Sequence, residues 1–299
     1  MSLVIVGSLA FDTIETPNNR KEKIIGGSCA YAALAASFFT TPNIVAVVGE
    51  DFPQDVIELF KSRGIDTSGL EIKKGKTFHW EGRYDDDPNF RTTIRTDLNV
   101  FRDFKPNLSQ EYRNADIVFL GNIDPDLQDD VLAQVKNPKL LAMDTINLWI
   151  NTKKDGLLQV IKNVDYFFAN DEEIKLLADE KNLIKAGKKI LKTGPSLVAI
   201  KKGEHGALVI EKDFIFGMLA YPCEDVVDPT GAGDSFAGAF LGYLDKVKSY
   251  REKDIRTAAV MGSTMASFII EDFGIERFKK LTAEEIECRF NAFKQLVSF

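Results

Sequence analysis

The sequence predicts an α/β fold: a central, mostly parallel sheet flanked by helices. Three observations predict it. Short apolar runs bounded by turn residues recur, at 3–6, 44–48, 117–120, 140–143, 166–169 and 197–200, and such runs mark strands covered on both faces. Helical patterns sit between most of them, and strand–helix alternation implies right-handed crossovers and parallel pairing. The chain is long enough for a large core, with 299 residues and 44% hydrophobic content, so no disulfide or metal staple is needed.

In order, the first helix is expected over 28–39, rich in Ala and Leu and capped by Ser28. The next spans 53–63, with Pro53 in its first turn. Further helical patterns cover 126–135, 172–178 and 183–191. Segments 76–84 and 91–101 break the rhythm: they are β-prone, alternate polar with apolar, and are joined by Asp85-Asp86-Asp87-Pro88-Asn89. They predict an antiparallel hairpin inserted in the body, a lid or an oligomer contact. A second hairpin is expected at 207–210 and 214–218, and helices at 235–244, 255–268 and 283–297. Without repeats or linkers, the reading is one domain over 1–299, with lid segments at about 11–25 and 75–102.

Composition excludes several function classes. The net charge is −7, from 38 Lys and Arg against 45 Asp and Glu, which argues against a basic nucleic-acid face. An anionic ligand must then be met by local positive potential. Cys29, Cys223 and Cys288 form no CxxC pair, so they read as reduced thiols of a cytoplasmic protein. Only two histidines, His79 and His205, are present, which leaves little room for a His-rich metal site or a Ser-His-Asp triad. The N-terminus lacks a signal-peptide pattern, and no run reaches the ~18 apolar residues of a membrane span.

Two tempting motifs fail. Gly69–Thr77 resembles a P-loop, but five residues separate Gly69 from Gly75, where a P-loop has four. Gly231-Ala232-Gly233 starts like a dinucleotide fingerprint, but Phe236 stands where its third glycine belongs. The informative segment is Asp228-Pro229-Thr230-Gly231-Ala232-Gly233-Asp234-Ser235-Phe236. A Gly-Ala-Gly turn opening into a helix lets backbone approach a ligand closely. Its first amides point outward, with the positive end of the helix dipole behind them. That makes an anion hole fit for a phosphoryl group. Asp234, in the first turn, can accept a proton from a substrate hydroxyl. The plainer alternative is a loop-to-helix cap with Asp234 complementing the dipole.

This segment resembles the C-terminal signature of the ribokinase-like, or PfkB, carbohydrate kinase family. Other matches follow in order along essentially the whole chain: Asp12 after the first strand, the diglycine Gly26-Gly27, Asn170-Asp171-Glu172-Glu173 for N-x-x-E, and Lys202-Gly203-Glu204-His205-Gly206 for G-x-x-G. The resemblance implies an ATP-dependent kinase of the ribokinase-like fold, with Mg²⁺ and in many relatives K⁺. It makes Asp234 the catalytic base and Gly231, Ala232 and Gly233 the anion hole. Asp12, Gly26 and Gly27 would bind the acceptor. Asn170 and Glu173 would organise Mg²⁺ through water, unless Asn170 or Asp171 simply caps the helix. Lys201, or Lys202, would meet a phosphate, and Gly203 and Gly206 would shape the nucleotide turn. Asp228 and Thr230 match the ligands of a monovalent cation. Gly262 and Ser263 are expected in the adenine wall, and Asn122 at the acceptor.

The acceptor is less sharply drawn. Tyr31 stands where sugar kinases of the family often carry Asn, so either the hydroxyl pattern differs or a ring packs there. Asp144-Thr145-Ile146-Asn147-Leu148-Trp149 lacks the Arg of a D-x-N-x-R motif, which disfavours a phosphorylated acceptor. Arg83, Arg91 and Arg95 in the lid alternate with aromatic residues, and solvent is favoured for two of the three. The leading reading is phosphorylation of a hydroxymethyl group on a small sugar or polyol. The alternative is a nucleoside kinase, with Tyr31, Phe78 or Trp80 stacking a base. A non-catalytic ligand-binding homologue ranks last, because Asp234 and its glycine turn are intact. A homodimer through the lid is left open.

Overall fold

The computed structural model describes residues 2–17, 19–85 and 91–296. Its strands are β1 (Leu3–Val6), β2 (Ala10–Thr16), β3 (Asn19–Gly26), β4 (Asn43–Gly49), β5 (Asp66–Lys73), β6 (Phe78–Tyr84), β7 (Arg91–Asp97), β8 (Ile117–Leu120), β9 (Leu140–Met143), β10 (Tyr166–Asn170), β11 (Leu197–Lys201), β12 (Ala207–Glu211) and β13 (Ile215–Met218). Its helices are α1 (Ser28–Ser37), α2 (Gln54–Ser62), α3 (Pro125–Leu132), α4 (Asn147–Thr152), α5 (Lys154–Ile161), α6 (Asp171–Ala178), α7 (Leu183–Leu191), α8 (Ala232–Val247), α9 (Glu252–Ile269), α10 (Glu276–Lys280) and α11 (Ala283–Leu296).

Among the described residues the main sheet has nine strands, ordered β13-β12-β11-β10-β9-β8-β1-β4-β5. The stretch from β11 to β5 is parallel, and β12 and β13 add an antiparallel edge. Alternation along a strand divides the core between the two faces. Leu3 and Ile5 join Phe119, Phe168 and Phe240 on one face. Val4 and Val6 join Val118, Phe167 and Ile174 on the other. Both faces are therefore apolar, as the uninterrupted runs predict.

Helix α8 is set by close packing on α1. Gly238 lies against the Ala32 backbone and Gly242 against Ala36, where a side chain would not fit. The Ala-rich face of α1 supplies the matching small surface.

The lid is larger than one hairpin. Its four strands run β3-β2-β6-β7, with β2 and β6 parallel at its centre and an antiparallel partner on each side. β3 is largely charged and exposed, so its apolar signal is weak. Of the expected turn Asp85-Asp86-Asp87-Pro88-Asn89, residues 86–89 lie outside the described residues, as does residue 297 of the last helix. Ser28 does not cap α1. Gly27 holds that position at φ 96, without a side-chain cap, and the Ser28 hydroxyl accepts the Ser8 amide instead, at 3.2 Å. The helix expected over 126–135 ends at Leu132. β5, which the apolar runs do not reveal, is half-exposed and mixes charged residues with apolar ones.

Candidate active site

Three parallel strands deliver polar residues to one edge of the sheet. Asp144 follows β9, Asn170 ends β10 and Lys201 ends β11. Ligands of open α/β sheets bind at this carboxyl edge. The N-terminus of α8 joins the same place. Its N-cap Gly231 has φ 78 and gives the first turn no side-chain cap, so that turn offers its amides and dipole to an incoming anion. The α-carbon of Gly231 is pressed on the Tyr31 ring, and a Cβ on Gly233 would come within 2.9 Å of Lys201 Nζ. The Gly-Ala-Gly turn thus lies between an aromatic ring and an ammonium.

Lys201 Nζ donates to Asp144 Oδ2 at 2.5 Å, with side-chain exposures of 16% and 3%. Burial pushes the Asp144 carboxyl up while Lys201 draws it down. Burial alone would lower the Lys201 ammonium, but Asp144 and Glu173 raise it, so each partner favours the charged form of the other. Glu173 belongs to a reciprocal capping box. Its amide donates to Asn170 Oδ1 at 2.8 Å, and its Oε2 accepts the Asn170 amide at 2.7 Å. Burial lifts its carboxyl to about 7, with Lys201 opposing.

Asp234 is also pushed up to about 7, first by burial and then by the Asp144 charge, against Lys201 and Arg91. A carboxylate tuned near neutrality suits proton acceptance at physiological pH. The base must be ionised to act, so kcat/KM is expected to fall as pH drops below about 7. A pH–rate profile flat from pH 5 to 8 would contradict that.

Asp12 sits on β2, its carboxylate packed on the α-carbon of Gly26. It is buried, and burial followed by the Asp228 charge holds it well above the usual carboxylate range. In the lid register Asp12 stands beside Trp80, and Tyr84 is opposite Arg91, so these residues share the inner face. The Arg91 guanidinium lies 5.6 Å over the Trp80 ring and hydrogen-bonds to Tyr84. Its charge acts on Asp12, Glu173 and Asp234. Arg83 and Arg95 take the outer face, and Arg95 pairs with Asp97 at 2.8 Å.

Tyr31 is fully buried, and among the described residues its hydroxyl finds no partner, so its ring cannot stack a ligand. Removing the hydroxyl breaks no hydrogen bond, and Tyr31→Phe is expected to keep or raise Tm. A fall in Tm would contradict it. Phe78 stacks on Phe101, with centroids 5.4 Å apart. Phe78 and Trp80 are both partly open, but Phe78 already has a ring partner in Phe101. Asn122 Oδ1 accepts the Trp149 indole at 3.0 Å. Gly262 packs on Phe236 and Ser263 is buried, where this part of α9 meets α8. Gly203 and Gly206, at φ 53 and 83, form the tight turn after β11. Lys202 Nζ reaches the His205 carbonyl at 3.3 Å, away from the pair made by Lys201.

Asp228 accepts the Thr230 amide at 2.9 Å and the Gly274 amide at 3.2 Å. Thr230 Oγ1 bonds to Tyr84 Oη at 2.9 Å. These two residues therefore tie the glycine loop to the lid and to the loop after α9. Sequence reasoning did not assign Asp144, Arg91 or Tyr84 to the site. The signal for Asp144 is its place directly after the buried run Leu140–Met143.

The family model for pfkB family carbohydrate kinases matches residues 2–279 of this chain. A cytidine kinase of Thermococcus kodakarensis is 30% identical over 249 residues, covering 81% of this chain and 88% of that protein. A nucleoside kinase of Methanocaldococcus jannaschii is 24% identical over 272 residues, covering 88% of this chain and 84% of that protein. The crystal structure of the Methanocaldococcus jannaschii nucleoside kinase superposes with a TM-score of 0.78 at 22% identity, covering 98% and 99% of the two chains. A putative ribokinase II from E. coli, solved in complex with ATP and Mg²⁺, superposes with a TM-score of 0.79 at 17% identity, covering 97% and 99%. These structures share the fold.

Proposed function

This chain belongs to the pfkB family of carbohydrate kinases and is an ATP-dependent kinase, and on that premise we propose that it phosphorylates the hydroxymethyl group of a nucleoside. The observation carrying the chemistry is Asp234, raised to about 7 at the uncapped first turn of α8. Asp234 takes the hydroxyl proton. The freed oxygen pair forms the bond to the γ-phosphorus. The bond from that phosphorus to the β–γ bridging oxygen breaks, and ADP leaves with its electrons. The Gly231–Gly233 turn and Lys201 face the charge that develops on the transferred group.

The nucleoside assignment draws on the relatives named cytidine kinase and nucleoside kinase. In this reading Asp12 binds acceptor hydroxyls, and Trp80 is the lid ring for a base. A free sugar is the second reading, favoured by the compact Gly26–Asp12 floor. Thermal-shift and ATP-consumption assays with cytidine, adenosine, inosine, ribose and fructose separate the two. Activity on a sugar with silence from every nucleoside would overturn the first.

Mg²⁺ would neutralise phosphate charge when bound. Among the described residues no three His, Cys, Asp or Glu side chains converge on a metal. Glu173 keeps one carboxylate oxygen outside its capping box, which fits a hold through water. The bonds of Asp228 and Thr230 already give them a structural role, so no step is assigned to K⁺. Equal rates in K⁺ and tetramethylammonium would agree. A K⁺ requirement would make them cation ligands.

A further inference from the structure

The geometry points to Asp144 as a positioning residue for phosphoryl transfer: it holds the Lys201 ammonium against the Gly231–Gly233 turn, so that the cation is in place before nucleotide arrives. This rests on the kinase reading above for its chemistry, not on which acceptor is used.

Asp144 and Lys201 come from the ends of two strands that flank β10, 57 residues apart in sequence. Asp144 is buried and Lys201 half-buried, and each has few ways to be satisfied. Asp144 Oδ2 takes Lys201 Nζ, and its Oδ1 takes the Thr145 amide at 2.9 Å. The second bond fixes the carboxylate, and the fixed carboxylate fixes the ammonium. Lysine is otherwise a flexible point charge on a long stem. Held here, its Nζ stands at the α-carbon of Gly233, beside the amides that would receive an anion. A Cβ at 233 would stand 2.9 Å from the ammonium and push it aside. No ion pair joins Lys201 to another acid among the described residues.

The arrangement also joins the lysine to the base. Asp234 is faced by Asp144 and Lys201 from the sheet edge, by Arg91 from the lid and by Asp12 from β2. The Tyr31 phenol and Cys29 thiol of α1 also face it, both pushed up by burial and so neutral. Glu173 of α6 faces Lys201. Neutralising Asp144 removes an anion next to Asp234, whereas neutralising Lys201 removes a cation. The two changes must therefore move the acid limb of the pH profile in opposite directions.

The test uses the full chain with Asp144→Ala, Asp144→Asn and Lys201→Gln. Binding of fluorescent ATP is measured without acceptor, turnover is followed from pH 5 to 9, and Tm controls for folding. Asp144→Ala frees the lysine and is expected to lower kcat/KM for ATP by about tenfold or more. Asp144→Asn still offers Lys201 an acceptor oxygen and is expected to recover most of that loss, with its acid limb moved to lower pH. Lys201→Gln should weaken ATP binding and move the limb to higher pH. Wild-type kcat/KM for ATP in Asp144→Ala would overturn the proposal. So would equal losses in Ala and Asn with the limb unmoved, the pattern of a purely structural pair. If Asp144→Ala does not fold, the opposed limb shifts of Asp144→Asn and Lys201→Gln decide alone. ATP binding is read without acceptor, so silence from every nucleoside would sink the acceptor reading while leaving this one decidable.

Discussion

Asp234→Asn is expected to lower kcat by roughly a hundred- to ten-thousandfold, the range a general base contributes, while ATP still binds and Tm does not fall. Asn fills the same space but cannot accept the acceptor's proton. The carboxyl it replaces is half-buried and raised to about 7, so its charge is costly to the fold, and losing that charge should not destabilise it. The check is steady-state kinetics beside a thermal melt. Retained turnover would remove Asp234 from the role of base. Loss of turnover together with unfolding would leave the role unproven, so the melt decides how the kinetics are read.

The second large effect is expected at Gly231. Its φ of 78 lies where residues with a Cβ are strained, by roughly 1–3 kcal/mol. A Cβ would also enter the Tyr31 ring, which is fully buried and has nowhere to move. Gly231→Ala must therefore unwind the first turn of α8 or displace α1. Either shift moves the amides and Asp234 off the reaction line, and a misplacement of about 1 Å can cost on the order of a hundredfold in rate. The expected result is a lower Tm together with at least that loss in kcat. Wild-type behaviour in both would show that the turn is not rigid.

Some of this was plain in the sequence. The strands β1, β8 and β10 are apolar almost throughout because helices cover both their faces, so composition alone marks them. The glycine turn was legible because its chemistry is local: amides, a small-residue approach and a carboxylate lie within a few positions. What was hidden depends on register and distance. Arg83, Arg91 and Arg95 look alike in sequence, and only the pairing of Tyr84 with Arg91 turns one of them inward. Asp144 meets Lys201 because two strand ends lie on either side of β10. Tyr31 read as a candidate ligand contact because its neighbour Gly231 lies far along the chain, and their contact exists only once α1 packs on α8. β3 falls in the expected lid segment but carries no strand pattern in the sequence, because an edge strand facing water needs no apolar alternation.

The most direct measurement follows the phosphorus atom. The protein is incubated with ATP, Mg²⁺ and cytidine, and the products are resolved by ³¹P NMR. The account predicts ADP together with a phosphomonoester on the hydroxymethyl oxygen of the nucleoside, and neither product with Asp234→Asn. ATP left intact, or converted only to inorganic phosphate with every nucleoside and sugar offered, would contradict it.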